Sequence, residues 1–384
     1  MSWEKVKLGE VTESCLGKML DQKKNKGSYK PYLANVNVRW GFFDLDNLQE
    51  MRFEDDEDER YGIKYGDLII CEGGEPGRCA IWKEQIPNMK IQKALHRVRV
   101  HDIMDFRFVY YWFLLAGKQG ALKQYYTGAT IMHMPGQKLK EVLIDKPPLI
   151  VQQRIGAYLE TFDNLIENDQ KQIKLLEEAA QRLYKEWFVD LRFPGYENCK
   201  IVDGVPQGWK IVPISDVADL KAGGDKPKNF TNNLTNECTV PVFANGITDK
   251  GLMGFTNKPV ITKPSVTISA RGTVGVVFLR REPFMPIVRL ISVTPNEEKM
   301  DVFYLYLYLT NQSFRSTGAA QQQITVPLLK NKIIMCPDEG VRKIFEMYTK
   351  TIFDKIQVLE KQRMKLIEAR DRLLPKLMSG EIEV

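Results

Sequence analysis

The sequence predicts an α+β protein in which two globular mixed α/β domains are separated by two long helices. Two observations support this: the segment from Leu149 to Phe193 recurs at residues 338–384, and the stretches that precede each copy share strand and glycine-turn patterns. Repetition of a whole unit indicates an internal duplication. We therefore expect a pseudo-two-fold axis, with the two helices paired as an antiparallel coiled coil.

The repeated segments have the spacing of long helices. They align without a gap, so that Tyr158 corresponds to Tyr348 and Leu176 to Leu366. An uninterrupted pattern of this kind predicts roughly 35 to 40 helical residues, or about 55 to 60 Å at 1.5 Å per residue. The predicted seam comprises Ile155, Tyr158, Phe162, Leu165, Leu176, Ala179 and Leu183 in the first helix and Phe345, Tyr348, Ile352, Leu359, Leu366, Ala369 and Leu373 in the second. A coiled coil that joins two separate chains is the structural alternative.

These patterns divide the chain into four parts. The predicted domains are residues 1–148, the central helix 149–192, a second globular domain 193–337 and the C-terminal helix 338–384.

Composition narrows the class of protein. A chain of 384 residues with 43% hydrophobic content can form two or three domains. We expect a cytoplasmic location, because the longest apolar runs are too short to span a bilayer and no signal pattern is visible. The six cysteines form no CxxC pair and only three histidines accompany them, which predicts reduced thiols and no metal site.

The formal net charge of +6 lies mainly in the globular parts. A run of six acidic residues at positions 54–59 offsets the positive charge of the first domain. We expect this run to be a solvated loop that points away from any polyanion.

Taken in order, each globular part opens with an alternating segment, SWEKVKLGEV and GWKIVPISDV, which predicts a short strand. A basic or glycine-containing loop and a second strand follow. This region contributes Lys23, Lys24 and Arg39 in the first domain and Asn245 in the second. Such residues suit phosphate and base-edge contacts, but surface lysines beside a half-buried strand would give the same pattern.

The next repeat predicts two strands around a glycine turn, GDLIICEGGEPGRCAIW and PSVTISARGTVGVVFL. Neither a P-loop nor a GxGxxG that opens a helix is present, which argues against a nucleotide site. A turn that lets the backbone approach a ligand, with Arg78 in one copy and Arg271 and Thr273 in the other, is the favoured interpretation.

An aromatic run then follows in each half, MDFRFVYYWFLLA and MDVFYLYLYLTN. It could stack on single-stranded bases, but a nearly unbroken apolar run favours a buried helix or strand. The loops after it carry His133 and Lys138 in the first domain and Gln321, Gln322 and Gln323 in the second. The glutamines could reach adenine edges or simply be solvated.

The segment LYKEWFVDLRFPG after the central helix, the ending RDRLLPKLMSGEIEV and the piece ISARGTVG carry a resemblance. Together with the alternation of globular halves and duplicated helices, they resemble the specificity subunit of type I restriction-modification systems. The resemblance covers the whole chain.

The resemblance implies that each globular half is a target recognition domain for one half-site of a bipartite double-stranded DNA target. It implies that the helices dock two methyltransferase subunits, which restriction subunits then join. The candidate DNA-binding residues are those named in the loops above. The candidates for helix pairing and partner docking are Tyr158, Phe162, Leu176, Leu183, Tyr348, Ile352, Leu366 and Leu373.

The chain itself is expected to be non-catalytic. It contains no [DN]PP[YF], FxGxG, P-loop or PD…(D/E)xK pattern. AdoMet, ATP and magnesium are therefore expected in partner subunits and not in this chain. A coiled-coil scaffold with two peptide- or protein-binding domains is the alternative function, and a steep loss of nucleic-acid affinity with salt would argue against it.

Overall fold

The computed structural model describes residues 3–21, 25–314 and 323–384. It contains two compact units: unit 1 is Met1–Gln170 with Lys361–Val384, and unit 2 is Lys171–Glu360. The division falls inside both long helices, so each unit holds one globular part and a section of each helix. Within the described residues, no helix is both long enough and apolar enough to cross a membrane.

Unit 1 is built on an antiparallel four-stranded sheet of order β2-β10-β7-β8 and a smaller sheet of order β6-β3-β9, in which β3 and β9 run parallel. Two further pairs are β1-β11 and β4-β5. The strands are β1 (Glu4–Lys7), β2 (Thr12–Leu16), β3 (Ser28–Leu33), β4 (Val38–Arg39), β5 (Phe42–Phe43), β6 (Gln49–Phe53), β7 (Leu68–Cys71), β8 (Cys79–Ile81), β9 (Lys90–Ile91), β10 (Leu95–Val100) and β11 (Leu143–Lys146).

The helices of unit 1 are α1 (Leu8–Val11), α2 (Asp58–Tyr61), α3 (Phe106–Gln119), α4 (Gly136–Lys140) and α5 (Leu149–Tyr184), which continues into unit 2. The predicted short opening strand is present as β1, but it ends at Lys7, where α1 begins. The aromatic run forms α3, and Asp105 caps it by accepting hydrogen bonds from the N–H groups of Arg107 and Phe108. Phe108 and Phe113 are fully buried in the unit 1 core, which confirms the buried-helix interpretation.

The acidic run at positions 54–59 is mostly exposed, as expected from the sequence, but it is not an irregular loop. It forms a short 3-10 turn and α2, and its carboxylates pair with lysines. Glu57 binds Lys18, and the Asp58 carboxylate lies 2.9 Å from the Nζ atoms of both Lys30 and Lys90. Burial opposes ionisation of Asp58, but the hydrogen bonds from the two ammonium groups hold its pKa below the ordinary value. The run neutralises lysines that would otherwise be buried without a counter-charge.

Unit 2 repeats this plan. Its main sheet, β15-β22-β19-β20, matches the four-stranded sheet of unit 1 strand for strand, and its pair β14-β23 matches β1-β11. A second sheet has the order β16-β18-β17-β21. The strands are β12 (Ile201–Val202), β13 (Val205–Pro206), β14 (Lys210–Pro213), β15 (Ala218–Ala222), β16 (Phe230–Thr231), β17 (Val240–Phe243), β18 (Leu252–Thr256), β19 (Ser265–Ile268), β20 (Val277–Arg280), β21 (Met285–Pro286), β22 (Ile291–Pro295) and β23 (Ile333–Cys336).

The helices of unit 2 are α6 (Val302–Thr310), α7 (Val326–Lys330) and α8 (Glu339–Met378), whose C-terminal part belongs to unit 1. Asp301 caps the aromatic helix α6 as Asp105 caps α3. After α5, a π-helical turn at Lys185–Val189 places Trp187 and Phe188 against Phe345 of α8, at ring-centroid distances of 5.6 and 4.7 Å. The segment LYKEWFVDLRFPG therefore contributes aromatic side chains to the core of unit 2.

The helices α5 and α8 have 36 and 40 residues, which confirms their predicted length. Their pairing in unit 1 is antiparallel, because Asp163 contacts Arg370 whereas Asp169, further along α5, contacts the earlier residue Gln362 of α8. The predicted α+β architecture with an internal duplication is confirmed.

The seam assigned from sequence is partly wrong. Tyr158, Leu165 and Tyr348 are exposed by 42%, 47% and 50%, and Ala179 is also exposed. Leu159 and Ala180 are fully buried in their place. The error has a physical reason: neighbouring apolar residues offered two heptad phases, and packing against the globular parts selects one. The remaining candidates are at least partly buried: Phe162, Leu176, Leu183, Ile352, Leu366 and Leu373.

Candidate nucleic-acid interface

Each unit presents one glycine turn between two strands of its main sheet, and the two turns have the same backbone conformation. The N–H of Gly77 donates to the Cys71 carbonyl in unit 1, and the N–H of Gly275 donates to the Ser269 carbonyl in unit 2, both at 2.9 Å. Gly77 and Gly275 have φ values of 89° and 85°, and Gly74 and Gly272 have 74° and 68°. Glycine is favoured at these positions because side chains rarely adopt positive φ.

An asparagine anchors each turn from elsewhere in the chain: Asn35 lies two residues after β3 in unit 1, and Asn245 lies two residues after β17 in unit 2. The Asn35 Nδ2 donates to the Gly73 carbonyl at 2.7 Å, and the Asn245 Oδ1 accepts from the Ala270 N–H at 2.9 Å. The Asn245 Nδ2 also donates to the Val288 carbonyl at 2.7 Å. Asn245, a DNA-binding candidate from sequence, therefore holds the turn in place. Asn35 escaped the sequence analysis, although the repeated Ala-Asn pair in YLANV and VFANG was a usable signal.

The loop that follows the aromatic helix lies against the same turn in both units. The Met134 N–H donates to the Glu72 carbonyl at 2.7 Å, and the Ile324 N–H donates to the Ala270 carbonyl at 3.1 Å. His96, buried beneath this loop in unit 1, places its Nε2 3.0 Å from the Met134 carbonyl oxygen. Burial lowers the pKa of His96 below its ordinary value, which favours the neutral ring.

The residue just before this contact is His133 in unit 1 and Gln323 in unit 2, and both are exposed. His133 forms an isolated antiparallel β-bridge with Gly73, and a Cβ on Gly73 would lie 2.9 Å from the His133 Nδ1. Gln323 lies beside Arg271: with its amide oxygen facing the guanidinium, it accepts from the Nε at 3.2 Å and from an Nη at 3.1 Å. Arg271 holds the turn position that Gly73 holds in unit 1. One backbone frame thus carries glycine and histidine in one unit and arginine and glutamine in the other.

Arg271 and Thr273 are both exposed on the unit 2 turn. Arginine and glutamine side chains can make paired hydrogen bonds to guanine and adenine edges, respectively. The unit 2 turn therefore offers the donor and acceptor groups that base readout requires.

Arg78 is placed differently from Arg271. Its side chain is only 17% exposed, and its guanidinium binds Glu75 at 3.1 Å and the Asn35 Oδ1 at 2.9 Å. Glu75 also accepts a hydrogen bond from the Trp40 Nε1 at 2.7 Å. Arg78 is therefore committed to the internal structure of its turn, and its role as a DNA contact remains a prediction.

The other basic candidates of unit 1 that the structure describes form ion pairs. Arg39 donates to the Val38 carbonyl at 3.0 Å and lies 3.7 Å from Asp44, while Lys138 binds Glu141 at 2.7 Å. Both keep exposed surface and could exchange these partners for phosphates. The candidates Lys23, Lys24, Gln321 and Gln322 lie outside the described residues.

A second exposed feature lies on the long helices. Tyr158 and Tyr348 occupy equivalent positions of the repeat, and each packs edge-on against one aromatic ring: Phe162 at 5.8 Å and Trp187 at 6.2 Å. A tyrosine held by a neighbouring ring loses little conformational entropy on binding, which suits a protein contact.

Comparison with known proteins agrees with these features. A family model described as the type I restriction modification DNA specificity domain matches residues 1–178 and 206–372. The MjaIX specificity subunit of a type I restriction enzyme from Methanocaldococcus jannaschii is 27% identical over 340 residues, which cover 83% of this chain and 78% of that protein. The MjaVIII specificity subunit from the same organism is 24% identical over 414 residues, which cover 100% and 93%.

Among solved structures, the S subunit of a type I restriction-modification system from M. genitalium has a similar fold. The TM-score is 0.59 at 17% identity, and the match covers 98% of this chain and 96% of that chain.

Proposed function

The chain belongs to the family of type I restriction-modification DNA specificity proteins, and we propose that it reads a bipartite DNA target with one recognition domain per half-site. It is a non-catalytic specificity subunit, as its relatives are specificity subunits. One observation carries the bipartite proposal: the two glycine turns share a backbone frame but expose different side chains. Equivalent surfaces with different donors and acceptors are what two half-sites of different sequence require.

In this proposal, Arg271, Gln323 and Thr273 make base contacts for one half-site, and His133 with the backbone of the Gly73 turn does so for the other. Asn35, Asn245 and Arg78 hold the turns in shape. Arg39, Lys138, Lys23 and Lys24 contact phosphates, which supply affinity without sequence information. Tethering two modules makes their binding free energies nearly additive.

The subunit assembles with DNA and with the other subunits of its system. We propose that two methyltransferase subunits dock on the long helices at the exposed Tyr158 and Tyr348, one at each copy of the repeat, and that restriction subunits join them. AdoMet, ATP and magnesium would be bound by those partners. The complex would act in the cytoplasm, where it meets its DNA substrate.

The test is the methylated motif of a host that carries this chain with its methyltransferase. Replacement of residues 1–148 by the corresponding domain of a relative should change one half of the motif and leave the other half unchanged. A motif that changes in both halves, or in neither, would contradict the assignment of one half-site to each domain.

A second experiment replaces single residues of the proposed interface. Arg271→Ala should weaken binding by about 1–3 kcal/mol, which is roughly 5- to 150-fold, and only for sequences that contain the unit 2 half-site. Arg372→Ala, which removes an arginine whose side chain is 78% exposed on α8, is the matched control and should leave affinity unchanged. Equal losses for all DNA sequences would identify Arg271 as a phosphate contact. No loss would remove it from the interface.

A further inference from the structure

Unit 1 pairs charged residues across the long helices. The Asp163 Oδ1 accepts from the Arg370 Nη1 at 2.5 Å, and the Asp163 Oδ2 accepts from the Tyr111 hydroxyl at 2.7 Å. The Arg370 side chain is only 12% exposed. An acid of α5 thus meets a cation of α8 in a largely buried setting.

A second polar contact lies six residues further along α5. Asp169 is 2% exposed, and its Oδ1 lies 3.4 Å from the Gln362 Nε2. The antiparallel register brings Arg363 to the same level. The Asp169 Oδ2 and the Arg363 Nε are both buried, and neither has a hydrogen-bond partner among the described residues. Here again the acid belongs to α5 and the cation to α8.

The equivalent positions of unit 2 are apolar. The repeat relates Asp163 and Asp169 of α5 to Phe353 and Leu359 of α8, and it relates Arg363 and Arg370 of α8 to Ile173 and Ala180 of α5. All four unit 2 residues are buried in the unit 2 core. We call the two polar sites, Asp163 with Arg370 and Asp169 with Arg363, the polar layers. They are a departure from the duplication and not a property of the shared heptad pattern.

The duplication creates a pairing problem that these layers address. Because α5 and α8 share apolar heptads, the α5 helices of two chains could pair with each other. That pairing would place Asp163 opposite Ala180 and Asp169 opposite Ile173. Pairing of α8 with another α8 would place Arg370 opposite Phe353 and Arg363 opposite Leu359. The first arrangement buries Asp163 and Asp169 against apolar residues. The second places Arg363 and Arg370 against apolar residues, with only Asp371 of the same helix beside Arg370. Loss of the opposite charge across the seam is strongly unfavourable for such largely buried groups.

We propose that the acids Asp163 and Asp169 on α5 and the cations Arg363 and Arg370 on α8 are a pairing code that makes α5 pair with α8 and not with its own copy. Polar residues in a coiled-coil seam commonly select partner and register at some cost in stability. Given the proposed function, this code keeps two different recognition domains on one molecule, so that the target is asymmetric.

The test uses two full-length chains with opposite changes. One chain carries Asp163→Arg and Asp169→Arg, so that α5 and α8 are both cationic at these layers. The other carries Arg363→Asp and Arg370→Asp, so that both are acidic. Each chain alone should have a lower melting temperature than the unsubstituted protein. Refolded together, they should form a dimer in which each α5 pairs with the α8 of the other chain. Native mass spectrometry measures the 1:1 composition of this dimer.

Two further samples, one single chain and one mixture of two chains, make the result decisive. A chain with all four substitutions should be a monomer again, and it should regain at least half of the decrease in melting temperature that each two-substitution chain shows. Full recovery is not expected, because Tyr111 loses its carboxylate partner. A control mixture carries Asn164→Arg and Asn168→Arg in one chain and Lys365→Asp and Arg372→Asp in the other, all at exposed positions. It should give monomers only.

The proposal is overturned if the oppositely charged chains form no 1:1 dimer, or if the four-substitution chain is no more stable than either parent. A dimer in the control mixture would show that any opposite charge suffices, which also overturns the specific role of the seam. None of these measurements involves DNA, so they fail or succeed independently of the proposed recognition function.

Discussion

Truncation of Leu159 to alanine should destabilise the protein far more than the same truncation of Leu165. Both leucines lie on α5, but Leu159 is fully buried in the unit 1 core and Leu165 is 47% exposed. Removal of a buried leucine side chain costs about 2–5 kcal/mol, because apolar contacts are lost and a cavity remains. An exposed substitution usually changes stability by less than about 0.5 kcal/mol.

These free energies translate into a measurable melting shift. For a unit of roughly this size, each kcal/mol lowers the melting temperature by about 2–4 °C, so Leu159→Ala should lower it by about 4–20 °C. Differential scanning calorimetry of the two full-length variants, run beside the unsubstituted chain, measures both shifts. Urea unfolding followed by tryptophan fluorescence gives the free energy independently.

The comparison distinguishes the two heptad phases. A seam read from the sequence alone includes Leu165 and omits Leu159, so it predicts the opposite order of effects. Equal shifts, or a larger shift for Leu165→Ala, would refute the packing described for α5. A Leu165→Ala variant with normal stability and weaker methyltransferase binding would agree with an outer, partner-facing position.

Three further predictions concern the turns, the caps and the helix length. Gly77→Ala should destabilise unit 1 more than Gly204→Ala destabilises unit 2. Both glycines have positive φ, but a Cβ at 77 would clash with the buried side chain of Leu122, whereas nothing lies within 4 Å of a Cβ at 204. Equal losses in urea unfolding would show that backbone strain alone matters. Burial raises the pKa of Asp301 to about 6, above about 3.9 in an unfolded chain, so the folded state holds more protons between these values. This group should therefore add about 1 kcal/mol of stability as pH falls from 7 to 5, and Asp301→Asn should lack that gain in urea unfolding at the two pH values. Finally, one heptad inserted after Gln170 and another after Lys361, which face each other in the antiparallel register, should preserve pairing and add about 10 Å of helix. Sequencing of methylated DNA should then show a longer unread spacer between unchanged half-sites, and an active variant with its original spacer would show that the helices do not set it.

The sequence by itself determined the features that depend on local pattern and repetition. The duplication, the lengths of α5 and α8, the buried aromatic helices and the family all follow from spacing and motifs within short stretches of chain. Such signals survive without knowledge of the fold, because a helix period or a glycine turn is encoded by residues close in sequence.

Only the tertiary structure decided which of two adjacent apolar residues faces the seam, as Leu159 does and Tyr158 does not. It also decided that the acidic run neutralises Lys18, Lys30 and Lys90, and that Asn35 and Asn245 hold the turns. Each of these outcomes rests on contacts between residues far apart in the chain. Their partners are chosen by packing and by the need to pair buried polar groups, and neither is visible in a local pattern.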